Sequence, residues 1–284
     1  MALFLIGFIV FLVPLVAAST YEDSIRAWQQ HRNAGLRASD SWLTLVGLFW
    51  LKPGDNTIGS ASSNDLVLPK GAAPSQVGRL RLEGGQVRFV DARGVSRTLS
   101  YSEEKPDVVH AGSISFYVIK RGDRLAVRAK DSASTVLKSF RGMTYFPANP
   151  ELHFRAKFLP ERKMIPIHNV VEQTDQEESP GIVEFTYRGA QYRLRPIYEG
   201  KTLFFLFKDP TNKTETYQAG RMLNTPLPVH GTVDLDFNHS YNPPCTFTPY
   251  ATCPLPPKEN TLPFPVTAGE KRYGDGEVKS AEGR

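Results

Sequence analysis

SISFYVIKRGDRLAVRAK, residues 113–130, reads as two strands joined by a tight turn. The apolar residues on either side of Arg121-Gly122-Asp123-Arg124 are β-branched or aromatic and recur with period two or run continuously, which is strand patterning. The glycine supplies the positive φ that a short hairpin connection needs. The same pattern recurs through the chain in GQVRFV (85–90), IVEFTYR (182–188), QYRLRPIY (191–198), TLFFLFK (202–208) and TVDLDF (232–237). Further hairpin signals stand at Glu83-Gly84-Gly85-Gln86, Arg188-Gly189-Ala190-Gln191 and Glu199-Gly200-Lys201. Strands at this spacing predict a mainly β chain of antiparallel sandwich or barrel-like sheets. LFFLF is apolar on both faces and predicts a central strand.

Ahead of the strands, residues 21–37 form an amphipathic helical pattern with Ile25, Trp28 and Gln29 on one side. Ser39 or Asp40 then offers a cap for a short second turn. Trp42, Leu45, Leu48, Phe49 and Trp50 are expected to plug the body. The first residues, MALFLIGFIVFLVPLVAAST, carry a short apolar run followed by small residues, the pattern of a cleaved leader over 1–18. The run is shorter than the ~20 residues of a spanning helix. It has no Lys or Arg before it, so an uncleaved N-terminal anchor is the alternative. The expected location is exported, periplasmic or extracellular, with no stable membrane insertion after leader cleavage.

The sequence divides into the leader, an N-terminal helix plus sandwich over 21–147, a second antiparallel part over 148–273, and a polar tail over 274–284 with almost nothing to bury. The boundary is expected near 147–180, where FPANPELHF and the acidic EQTDQEESPG interrupt the strands. The net charge of +5 and the pI near 9.1 come from charges scattered along strand faces. No block of like sign is present, and nucleic acid is not an expected partner.

LKPGDNTIGSASSNDLVLP (51–69) resembles the opening of a forkhead-associated domain, a β-sandwich whose loops grip phosphothreonine with an Arg and a later Ser and His. The resemblance implies that fold for about residues 45–130. The Arg position here holds Ser60, and the Ser-x-x-His position reads Ser75-Gln76-Val77-Gly78. Without the guanidinium, the bidentate bonds to a phosphate are missing, so phosphothreonine recognition is expected to be lost.

The longer motifs are similar to a more specific group, the bacterial domain-of-unknown-function family 1684. They are WLTLVGLFWLKPGDNTIGS, FRGMTYFP, FKDPTNKTETYQAGRML and VDLDFNHSYNPPCTFTPYATCPLPPKENTLPFPVTAGEK, spread over about residues 24–273. That resemblance implies no activity.

The richest chemistry lies between Asp234 and Asn260. In DLDFNHSYNPP, strand alternation puts Asp234, Asp236 and Asn238 on one face and Val233, Leu235 and Phe237 on the other. Two acids and an amide in a row need positive or donating partners. Arg141 and Arg221, each flanked by glycine, are the candidates. A pocket of Arg141, Arg221, Asp236, Asn238, Tyr241 and Asn242, with Tyr217 leaning in, would hold a small polar or anionic ligand. A purely structural Arg–carboxylate network is the competing account. The enzymatic alternative is a hydrolase-like site with Asp236 or His239 as general base. His153 and His168 carry no motif.

Cys245 and Cys253, the chain's two cysteines, stand eight positions apart in a proline-rich run that forms neither helix nor central strand. In an oxidising compartment a disulfide would staple this loop, worth about 2.5 kcal/mol by the chain-entropy estimate. The spacing matches no zinc pattern, and no metal is expected. Asp209, Thr211, Thr214 and Thr216 cluster in a turn-forming stretch. Asn212 and Asn238 each open an N-glycosylation pattern, meaningful only in a eukaryotic secretory pathway. Phosphate-loop, nucleophile-elbow, His-Glu-x-x-His and dinucleotide motifs are lacking, and no cofactor is expected.

Overall fold

The structure, a computed structural model, describes residues 13–102 and 104–274. The leader expected over 1–18 therefore lies outside the described residues up to position 12, and the tail expected over 274–284 lies outside them from position 275. The chain is mainly β, with one long helix, α1 (Val13–Leu36), and one short one, α2 (Thr135–Ser139). Helix α1 extends further toward the N-terminus than the expected 21–37.

The first β body is a sandwich of two sheets. One contains β1 (Leu45–Trp50), β7 (Val109–Ala111), β8 (Ile114–Arg121) and β9 (Arg124–Asp131), in the order β1-β9-β8-β7. The other contains β2 (Gly54–Gly59), β3 (Leu66–Val67), β4 (Gly78–Glu83), β5 (Gln86–Asp91) and β6 (Ser96–Leu99), in the order β3-β2-β4-β5-β6. Ile58, Leu80 and Val87 from the second sheet meet Phe116, Val118 and Val127 from the first in one core. The hairpin signals are realised: Arg121 pairs with Arg124 across Gly122 (φ 53°), and Glu83 with Gln86 across two positive-φ glycines. Trp42 departs from the expected plug and stays more than a third exposed, its ring near the cationic groups of Arg128 and Lys130. Ser41, rather than Ser39 or Asp40, caps the short turn Trp42–Thr44.

The second β body also has two open sheets. Strands β10 (His153–His168), β11 (Thr174–Tyr187), β12 (Ala190–Leu194) and β16 (Thr232–Asp236) run in the order β12-β11-β10-β16. Strands β13 (Ile197–Glu199), β14 (Thr202–Phe207) and β15 (Arg221–Pro226) form the other sheet. Neither closes on itself among the described residues, so the barrel-like expectation is corrected to open sheets. As LFFLF implied, β14 is central: Leu203, Phe205 and Phe207 enter one core, while Phe204 and Leu206 enter another.

The acidic run expected to break the strands instead forms half of the longest hairpin, because Glu177 and Glu178 pair with Ile165 and Met164. A strand edge near solvent tolerates alternate acids, and the ladder is relieved by a register shift between Pro160 and Lys163. Gly181 is required there, since a Cβ would lie 2.3 Å from the Leu159 carbonyl.

Candidate functional site

The residues expected to form one pocket fall into separate networks. Asp236 ends β16 and caps the turn Phe237–His239, so Asn238 belongs to that turn and not to the strand. Asp236 accepts from the Tyr21 hydroxyl of α1 at 3.1 and 3.0 Å and from Asn238 Nδ2 at 2.8 Å. Asn238 Nδ2 also donates to Tyr21 and to the Asn149 carbonyl. These bonds pin the helix to the second β body. Burial, and then Asp236, push the Tyr21 phenol well above its ordinary pKa.

His239 lies 3.7 Å from Asp236, with its ring against Trp28 at a centroid separation of 5.1 Å. Burial holds its pKa below the usual imidazole value, against the pull of Asp236. Asp234 turns outward and bonds His153 Nε2 at 2.6 Å, and that ring stacks on Tyr21.

Arg221 pairs with Asp209 and not with Asp236. Both side chains are fully buried, at 2.9 Å, and Arg221 also donates to the Val266 and Ala268 carbonyls. Tyr217 is buried beside it, sharing a crevice of about 10 Å³ that leaves room for a water at most. Tyr241 and Asn242 form a third network. The Tyr241 hydroxyl donates to Asn224, Asn242 N–H donates to Glu270 at 2.6 Å, and Arg32 of α1 joins Glu270 at 2.8 Å. Arg141 is exposed and reaches none of these groups. The expected convergence of Arg141 and Arg221 on Asp236 is therefore not present: Arg221 and Asp236 each have a nearer partner. Asn212 and Asn238 are buried and hydrogen-bonded, so neither is open to glycosylation in the folded chain.

Cys245 and Cys253 are joined in a disulfide, with Cα atoms 6.2 Å apart. The stapled loop sits between the two β bodies. Thr248 donates to the Leu45 carbonyl of β1, while Val170 N–H donates to the Cys253 carbonyl and Leu255 N–H to that of His168. Thr252 and Pro254, on either side of Cys253, line a groove of about 590 Å³. Its other walls come from the end of β8 (Lys120, Arg121), the turn of the long hairpin (Asn169), the start of β11 (Asp175, Glu177) and β13 (Ile197, Tyr198, Glu199).

Depressions of similar volume lie on the sandwich, so size does not single out the groove. Its lining does. Asn169 and Thr252 are buried polar side chains, and the depressions on the sandwich have none among their linings. Thr252 Oγ1 accepts from Arg121 Nε at 3.0 Å and from Arg128 Nη2 at 3.1 Å, which brings two guanidinium groups within about 6 Å of each other. Arg128 is 5 % exposed, its Nε has no hydrogen-bond partner, and it makes no ion pair among the described residues. Burial lowers its pKa from the ordinary guanidinium value, opposed by the Tyr117 hydroxyl. A buried cation with only hydroxyls and the Trp42 ring about it, and no carboxylate, is an unfinished electrostatic arrangement. Asn169 Oδ1 accepts from the Val171 and Gln173 amides, while its Nδ2 has no partner.

Sequence reading singled out the stapled loop but missed Arg128, Arg121 and Asn169. The available signal was an arginine inside the apolar strand RLAVRAK, on a face that only another segment could cover.

The family described as "Protein of unknown function (DUF1684)" matches residues 138–271, which include the stapled loop and the second β body. No curated protein matches the chain. Among solved structures, the solution NMR structure of an uncharacterised protein of Haloarcula marismortui is similar, with 28% sequence identity over 47% of this chain and 78% of that one, at a TM-score of 0.41.

Proposed function

We propose that the protein is an exported binding module that holds a small anionic or polar molecule in the groove between its two β bodies. The observation that carries this reading is the convergence of Arg121 and Arg128 on the Thr252 hydroxyl, with Arg128 buried and lacking a carboxylate. An anionic group entering there would supply the missing charge and accept charge-assisted bonds. Export is supported by the disulfide, which persists in oxidising compartments. No helix among the described residues is long and apolar enough to cross a membrane.

Phosphothreonine recognition is not part of the reading. Ser60, which the resemblance sets at the forkhead-associated arginine position, donates to the Ala73 carbonyl of a neighbouring loop. The hydrolase-like alternative has less behind it, because the Asp236 oxygens are taken up by Tyr21 and Asn238.

The test is an amide NMR titration of the oxidised protein with acetate and with inorganic phosphate, repeated on Thr252→Val and Arg128→Met. Saturable shifts at residues 120–121, 169 and 252–253, lost in Arg128→Met, are expected with at least one anion. Absence of any shift at the groove up to millimolar anion overturns the reading.

A further inference from the structure

The groove carries opposite charges on facing walls. Lys120 and Arg121 come from the sandwich, with Arg128 behind Thr252. Asp175 and Glu177 come from β11 and Glu199 from β13. Glu199 spends one contact on Asn224 Nδ2, at 2.6 Å, which leaves further acceptor positions on its carboxylate. Ile167, Ile197 and Phe204 supply an apolar patch in the same groove, and the Tyr198 ring is exposed at its rim.

A multiply charged anion such as a phosphate dianion fits this lining poorly, since the carboxylates repel it at the short range where the guanidiniums attract it. A neutral sugar leaves Arg128 without its counter-charge. The lining suits a molecule with one anionic end, one cationic end and a small hydrocarbon body.

Resting on the groove reading above, we propose that the ligand is a zwitterion of the α-amino-acid or short-peptide class. Its carboxylate lies toward Thr252, Arg121 and Arg128, its ammonium toward Asp175 and Glu199, and its side chain against Ile167, Ile197 and Phe204. Selectivity then comes from requiring both charges at once, because the carboxylate answers the buried Arg128 while the ammonium answers Asp175 and Glu199.

Three probes of one carbon skeleton separate the possibilities: L-leucine, 4-methylpentanoate, which lacks the ammonium, and 3-methylbutylamine, which lacks the carboxylate. Each is titrated by calorimetry and amide NMR into the oxidised full chain. Leucine is expected to bind at least about five-fold more tightly than either, the size of one partly exposed ion pair. Asp175→Asn is expected to weaken leucine while sparing 4-methylpentanoate. Equal affinity for leucine and 4-methylpentanoate at the groove overturns the zwitterion and leaves an anion site standing. Tighter binding of the amine reverses the polarity and overturns the zwitterion and the anion reading together. No shift at the groove with any of the three, when acetate does shift it, overturns the zwitterion alone. Silence from all the probes and from acetate removes the groove reading with it.

Discussion

Arg221 shows how a buried charge is tolerated in this chain. Its guanidinium is matched to Asp209 and two backbone carbonyls, with both side chains fully buried. Breaking such a pair strands the other charge, at a cost of about 3–5 kcal/mol. Asp209→Ala is therefore expected to lower the unfolding free energy by that amount in urea titration. A loss under 1 kcal/mol, the range of exposed pairs, would show that the two groups are not enclosed together. His239 makes a pH prediction. Burial depresses its folded-state pKa, so the unfolded chain binds a proton more readily than the folded one. Its contribution to stability is complete above the unfolded value of about 6.5 and declines as pH falls from there toward the folded value. Asp236 opposes that decline, and His153 and Asp234 also face the ring. His239→Gln should flatten the fall of the urea midpoint between neutral and mildly acidic pH; an unchanged slope would assign the acid sensitivity elsewhere.

At the scale of elements, the proline-rich loop has few backbone bonds of its own and is held by the disulfide, by Thr248 on β1 and by two bonds to the long hairpin. Closing so short a ring is worth about 2.5 kcal/mol. Cys245→Ser with Cys253→Ser should lower stability by about that much in urea titration and, because Thr252 sits beside Cys253, weaken anion binding at the groove. A double variant that loses stability while keeping full affinity would show that packing alone positions Thr252. The strands and hairpins were legible in the sequence because period two and glycine turns are local signals. The acidic half of β11 was not, since its pairing with Ile165 and Met164 is a tertiary fact that overrides composition. The candidate site was legible only as a loop. Arg128 reaches it through contacts 124 positions apart in the chain, which no spacing rule reveals.

For the whole molecule, α1 is the clamp that ties distant parts of the second β body to the N-terminal segment. Ile25 and Leu36 bury its apolar side. Tyr21 holds Asp236 at the end of β16, Arg32 holds Glu270 near the chain's end, and Asn33 accepts from the Met143 amide. These contacts span more than a hundred positions each, so the helix contributes to cohesion far more than its own propensity would suggest. These polar tethers add no strand to either sheet of the second β body, which makes helix docking a step separable from unfolding of the cores. Tyr21→Phe removes one hydroxyl and leaves the buried Asp236 and Asn238 with a lost partner, a cost of about 1–3 kcal/mol. In native-state hydrogen exchange, amides of residues 21–36 should then exchange faster by the matching factor, while those of β14, buried on both faces, keep their protection. If β14 and the helix lost protection together, the helix would be an integral part of one cooperative unit, and the clamp description would have to be given up.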